Sequence, residues 1–256
     1  MWIKTANSVG INSSIIQGND LVLDNFGNCY VTGYFGGTAT FGSLGPVTST
    51  ADLDAFVAKF RQSDGAALWV RKGPAGPRSA YGYGIAVDNT GNIYYTGNFG
   101  TGTNVLQGNL NTLQVSTTAD YDAFVAKYNS NGEILWASKT QSSGSSGIFQ
   151  PSTFGADIAV DNQGNSYITG TIQAQSIQFG SPSITLGNPV ASFYIAKLNT
   201  QGQFLWARGA TGGGAGKFAG GNLISIGSNG NLFATGMVIG NFWFGNINVI
   251  NSGPNH

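Results

Sequence analysis

Eleven carboxylates supply most of the reactive chemistry in this chain. Three of them, Asp24, Asp88 and Asp161, each open the same phrase, Asp-Asn-x-Gly-Asn. Recurring oxygen donors of this kind could hold a hard cation such as calcium. The same side chains could instead cap their own turns by bonding back to the amides that follow. One carboxylate per phrase, the phrases 64 and 73 residues apart, favours the cap. Calcium is therefore a weak candidate, and no cofactor is expected. A second pattern pairs Asp52 with Asp54 and Asp120 with Asp122. Two acids about 5–10 Å apart in a cleft could hydrolyse a glycosidic bond. These pairs recur at equivalent places, whereas an active site is a singular departure from a repeat. They read as a repeated edge feature in a chain that is not an enzyme, the alternative being an enzyme acting on polysaccharide through such Asp residues.

Other chemistries find fewer residues. The one histidine, His256, stands last, so no Ser-His-Asp arrangement or histidine metal cluster is available. Cys29 has no neighbouring base and occupies a position that elsewhere holds Ile93, Ser166 or Leu232, which is a packing position. The stretch from Thr211 to Phe218 superficially suggests a phosphate loop. Thr211 stands where that motif needs its first Gly, Phe218 stands where it needs Ser or Thr, and a strand is expected to follow, not a helix. Lys59, Lys127 and Lys197 recur and are expected to pair with the Asp24/Asp88/Asp161 set. Five aromatics, Tyr81, Tyr83, Phe99, Phe149 and Phe154, fall in Gly/Ser-rich stretches outside the repeated phrases. Aromatics on loops of a rigid scaffold could contact a glycan or a protein.

Composition narrows the partners. Charged residues make up 9% of the 256, and positive and negative charges cancel. An ordinary domain carries about 25%. No basic footprint for nucleic acid exists, no apolar run reaches the length of a membrane helix, and a single cysteine excludes an intrachain disulfide. With 41% hydrophobic residues the chain is too apolar for disorder.

These residues need elements to hold them, and the elements repeat. The phrase ending Tyr30-Val31-Thr32-Gly33 returns as Tyr94-Tyr95-Thr96-Gly97, Tyr167-Ile168-Thr169-Gly170 and Phe233-Ala234-Thr235-Gly236. A second module, Asp54-Ala55-Phe56-Val57-Ala58-Lys59, returns at Asp122–Lys127 and Ser192–Lys197. A third ends in Trp69, Trp136 and Trp206, with Trp2 in the same column. Each module is a short run rich in Val, Ile, Phe and Tyr, bounded by turn residues, and reads as a strand. The Asp-Asn-x-Gly-Asn phrase reads as a hairpin turn. In the second unit the strands are expected at about 84–88, 92–98, 122–128 and 134–138, with almost no helix anywhere. Four antiparallel strands per radial repeat make a β-propeller blade. Trp2, Trp69, Trp136, Trp206, Phe56, Phe124 and Tyr194 are then expected to fill the space between blades. An insertion of about 20 residues between the second and third strands, often carrying Phe-Gly, is expected to add a small hairpin on one face.

The phrases Ile85-Ala86-Val87-Asp88, Gly91–Gly97, Asp122–Tyr128 and Gly132–Trp136 closely resemble the SBBP-type bacterial β-propeller repeat. The resemblance implies an all-β propeller of about four repeat units of ~65 residues, in a single domain or segment. It also implies a place in a secreted or cell-surface bacterial protein, with no catalytic residue set to carry over. The expected units are 1–9 (partial), 10–72, 81–139, 155–209 and 220–256 (partial). The fourth departs from the pattern, with Gly227 in place of the aspartate and no Asp-Ala-Phe-Val-Ala-Lys module. The chain is accordingly expected to be part of a longer array or to self-associate, and to act as a non-catalytic scaffold displaying loops for protein or glycan binding.

Overall fold

The structure is a computed structural model and describes residues 5–10, 14–144, 150–186, 191–212 and 217–249. Every regular element among them is a strand. The first unit holds β1 (Ala6–Val9), β2 (Ile15–Leu23), β3 (Cys29–Gly36), β4 (Thr38–Phe41), β5 (Val47–Thr48), β6 (Asp54–Phe60) and β7 (Ala67–Lys72). The second holds β8 (Ala80–Val87), β9 (Ile93–Gln107), β10 (Thr112–Tyr128) and β11 (Ile134–Lys139). The third holds β12 (Gln141–Ser143), β13 (Ser152–Val160), β14 (Ser166–Gln173), β15 (Ser176–Gln178), β16 (Ser183–Thr185), β17 (Ser192–Leu198) and β18 (Phe204–Gly209). The fourth holds β19 (Thr211–Gly212), β20 (Phe218–Ile226), β21 (Leu232–Ile239), β22 (Phe242–Phe244) and β23 (Ile247–Val249).

Units one to three each form an antiparallel four-stranded sheet: β2-β3-β6-β7, β8-β9-β10-β11 and β13-β14-β17-β18. The fourth contributes β20 and β21. Within a unit, a Gly in the second strand sits opposite an aromatic in the third: Gly33 with Phe56, Gly97 with Phe124, Gly170 with Tyr194. The preceding Thr donates from its hydroxyl to that aromatic's carbonyl at 2.9, 2.6 and 2.9 Å.

Neighbouring units are packed by the residues that the repeat keeps. Tyr30 and Trp69 of unit one join Tyr95, Phe99 and Phe124 of unit two in one apolar cluster. Tyr94 and Val125 join Ile158, Ile168 and Tyr194 in the next, and Phe193 meets Ala219 and Phe242 in a further one. Each such buried large side chain is worth about 1.5–3 kcal/mol. Trp69 and Trp136 do more than fill space. Their indole N–H groups donate to the carbonyls of Ser130 and Thr200, in the outer turn of the following unit. Trp2 lies outside the described residues.

The Phe-Gly insertions form the expected hairpins, β4-β5, β15-β16 and β22-β23. In unit two the same place is taken by the far ends of β9 and β10, which makes those strands much longer than their repeat modules. A feature with no sequence signal completes each hairpin. The segment that leads into each unit's first strand joins its hairpin: β1 on β4, β12 on β15 and β19 on β22 as a third strand, and Ala75 against Val105 as a single bridge. These short segments thus strap the small sheets of units one, three and four, and a single bridge does so in unit two.

The first strands touch one another in sequence, β2 with β8, β8 with β13, β13 with β20. Glycines allow this approach: a Cβ at Gly82, Gly155 or Gly221 would strike the hydroxyl of Thr32, Thr96 or Thr169 of the preceding unit. At the bulge of this inner row, Asp20 accepts from its neighbour Leu21 and also from the amide of Ile85 in unit two, at 2.8 and 2.9 Å. Asp157 does the same for Ile158 and for Ile224 of unit four, both at 2.8 Å.

Candidate functional site

The close approach at Gly82 decides where the aromatics lie. It seats β8 against β3, so that Tyr81 meets Tyr34 edge-on with ring centroids 5.1 Å apart. Tyr81 and Tyr83 share a strand face and stack nearly parallel at 6.0 Å and 8°. Tyr121, at the start of the blade segment of β10, joins Tyr81 at 6.4 Å and Phe154 of unit three at 6.0 Å. Five aromatics from three units thus form one continuous, half-buried surface at the end of the blades that carries the small hairpins. Geometry of this kind, edge-on and offset, is favourable for aromatic pairs.

Polar groups frame it. The Tyr34 hydroxyl donates to Gln17 at 2.6 Å, Gln17 to Asn19 at 3.0 Å, and Asn19 to the Gly82 carbonyl at 2.7 Å. Beside Tyr121 lies a cavity of about 420 Å³ lined by Thr50, Asp52, Pro77, Arg78 and Ser79. Arg78 pairs with Asp120 at 2.6 Å across its rim. Burial, then the neighbouring tyrosines, pushes the Tyr83 phenol up to about 12. Burial, then Tyr81 and Asp120, raises Tyr121 as well. Both hydroxyls remain protonated donors at neutral pH. The arrangement offers flat apolar faces next to fixed donors and acceptors of both kinds, which suits a ligand that is apolar on one side and hydroxylated on the other.

The structure draws together three of the five aromatics singled out in the sequence and corrects their setting. Tyr81, Tyr83 and Phe154 lie in strands, not loops. Phe99 is fully buried in the cluster between units one and two, because β9 continues through it, so it is no surface contact. Phe149 lies outside the described residues. Tyr34 and Tyr121 escaped the sequence reading because each directly flanks a repeated module, Tyr34 after Gly33 and Tyr121 before Asp122, and looks like its continuation.

The three repeated aspartates are turn caps. Asp88 accepts at 2.9 Å from the amides of Thr90 and Asn92 on one oxygen, and from the Asn92 side chain and the Tyr94 hydroxyl on the other. Asp24 and Asp161 repeat this set, Asp24 with Phe26, Asn28 and Tyr30, Asp161 with Gln163, Asn165 and Tyr167. Lys127 and Lys197 complete the sites at 3.7 and 3.9 Å from Asp88 and Asp161, each lying over the adjacent Tyr ring, whereas Lys59 lies over Tyr30 but donates to the Ser130 carbonyl at 3.1 Å and forms no ion pair with Asp24. Donors already occupy both oxygens of each carboxylate, and the three lie in three separate turns. Among the described residues no group of three or more His, Cys, Asp or Glu side chains comes together.

The paired acids separate. Asp52 borders the cavity, whereas Asp54 and Asp122 are sealed from solvent. Asp122 accepts from Thr117, Thr140 and Ser142, and a carboxylate so enclosed does not reach a substrate. Cys29 is buried, and burial raises its thiol. The stretch after Thr211 leads into strand β20, as the failed phosphate-loop pattern implies.

Comparison with known proteins agrees with this architecture. A family of beta-propeller repeats, SBBP, matches residues 73–98 and 147–185. Those two segments match as SBBP repeats. Both matched segments contain the first strand of a unit and part or all of the second, and the longer one continues through the small hairpin β15-β16. An uncharacterized WD repeat-containing protein of Acanthamoeba polyphaga mimivirus is 28% identical over 132 residues, which are 51% of this chain and 9% of that protein. Likeness to a beta-propeller repeat fits the all-β antiparallel sheets.

Proposed function

We propose that this SBBP-repeat chain is a non-catalytic interaction scaffold of a secreted or cell-surface protein, and that it binds glycan through the aromatic surface of Tyr34, Tyr81, Tyr83, Tyr121 and Phe154. Likeness to SBBP and WD repeats supports the scaffold reading. The observation that carries the glycan reading is the convergence of five half-buried aromatics from three units beside a polar cavity holding Arg78 and Asp52. Sugar rings present C–H groups on one face, which lie on aromatic faces, and hydroxyls at the edge, which meet the Arg, Asp and Ser groups of the rim. The rigid blades hold these groups in place before the ligand arrives, which lowers the entropy cost of binding. Calorimetric titration with a panel of soluble polysaccharides tests this. Binding to at least one, lost in Tyr81→Ser and weakened in Arg78→Gln while the melting temperature of Arg78→Gln stays unchanged, is expected. Equal binding by both variants would refute the site.

A further inference from the structure

The second strand of unit four differs from its three counterparts in what covers it. Phe233 is 60% exposed, while Tyr30, Tyr94 and Tyr167 in the same column are at 0, 0 and 9%. Thr235 is exposed, while Thr32, Thr96 and Thr169 are sealed beneath the third strand's aromatic. Met237 and Ile239 complete an exposed apolar strand whose outer edge pairs with no described strand. A second feature points at the same place. Trp69 and Trp136 donate to the outer turn of the following unit. Trp206 occupies that position in unit three, and among the described residues unit four has no outer turn to receive it.

We propose that the edge of β21 is a docking site for an antiparallel strand of the third-strand type, with an aromatic residue opposite Gly236 and an uncharged residue opposite Phe233. The three equivalent edges within this chain define the register, since each places an aromatic opposite the Gly of Thr-Gly. The hydroxyl of Thr235 then meets the carbonyl of that aromatic. The charge requirement comes from a correlated set of changes. In units one to three the residue opposite the Tyr is Lys, set over the Tyr ring; in units two and three it pairs with the turn aspartate, and in unit one it donates to the Ser130 carbonyl of the next unit. In unit four the aspartate is Gly227 and the Tyr is Phe233, so both the carboxylate and the hydroxyl that served it are gone. A lysine docked there would be buried without its counter-charge, which is unfavourable. Main-chain pairing supplies the affinity of an added strand, and side-chain pockets its specificity.

The test extends the full chain, after His256 and a Gly/Ser linker, with a copy of the Asp122–Lys139 hairpin. One form keeps the lysine corresponding to Lys127 and the other replaces it with Thr. Slowed hydrogen exchange at β21 amides, a shifted Trp206 indole N–H resonance, and a larger rise in melting temperature for the Thr form are expected. Installing Gly227→Asp with Phe233→Tyr should reverse the order of the two forms. Unchanged β21 exchange in both forms, or a preference that ignores the new aspartate, would overturn the proposal. Dimers of the parent chain with β21 already protected would assign the edge to a second copy and overturn it equally.

Discussion

Asp24, Asp88 and Asp161 each gather two turn amides, an Asn side chain and a Tyr hydroxyl around one carboxylate. Burial alone would push these carboxyls up, but the hydrogen bonds outweigh it and hold all three below the ordinary value. A carboxyl whose folded value is depressed contributes stability above its unfolded value of about 3.9, and that contribution is lost as pH falls through the folded value. Asp54, Asp122 and Asp157 run the other way: burial raises them, and their contribution is lost as pH rises through the raised value. Comparing Asp88→Asn with the parent isolates one term. The variant should be less stable at pH 7, and the difference should shrink below about pH 4 when melting is followed against pH. Asp88→Ala should cost about 1–3 kcal/mol in denaturant unfolding, and its effect should be non-additive with Lys127→Met because the two groups share one site. At this scale the Asp, Lys and Tyr columns were all legible, since each follows the repeat. The hydroxyl acting as third partner was not, because a Tyr in a strand reads first as packing.

Among the elements, the four-strand repeat and the Phe-Gly hairpins were legible from alternation and turn residues. The exit straps β1, β12 and β19 were not. They are two to four residues long, polar or mixed, and obtain their hydrogen bonds from the next unit's hairpin and not from local pattern. The extent of β9 and β10 was also hidden, because the residues past Asn98 include Gly100 and Gly102, which sequence reasoning takes as a loop. The Thr-Gly step is the tightest point of each blade. A Cβ at Gly97 would overlap the carbonyl oxygen of Tyr81. Gly97→Ala should therefore cost about 3 kcal/mol, far more than Thr96→Val, which loses one buried hydrogen bond worth about 1 kcal/mol. Chemical denaturation of both variants checks the order.

In the whole molecule, contacts of three kinds hold the units together: apolar clusters at all three boundaries, Trp-to-turn hydrogen bonds at the first two, and inner-row aspartates at the first and third. Asp20 bonds Ile85 across the first boundary. Asp20→Ala would leave the Ile85 amide unpaired, and should both destabilise the chain by about 1–3 kcal/mol and speed hydrogen exchange at Ile85. The same contacts bring the aromatic surface together, since Tyr34, Tyr81, Tyr121 and Phe154 come from three units and meet only when the units are in register. Sequence position marked some of these residues as departures from the repeat, but their convergence depends on inter-unit geometry that no single repeat encodes. The central claim is that this surface binds glycan as a rigid scaffold. Isothermal titration of the intact chain with the polysaccharide panel, run beside Tyr81→Ser and Tyr121→Ser, addresses it most directly. Saturable binding by the parent that both substitutions abolish is the predicted result. Absence of binding across the panel, or binding that survives both substitutions, would contradict it.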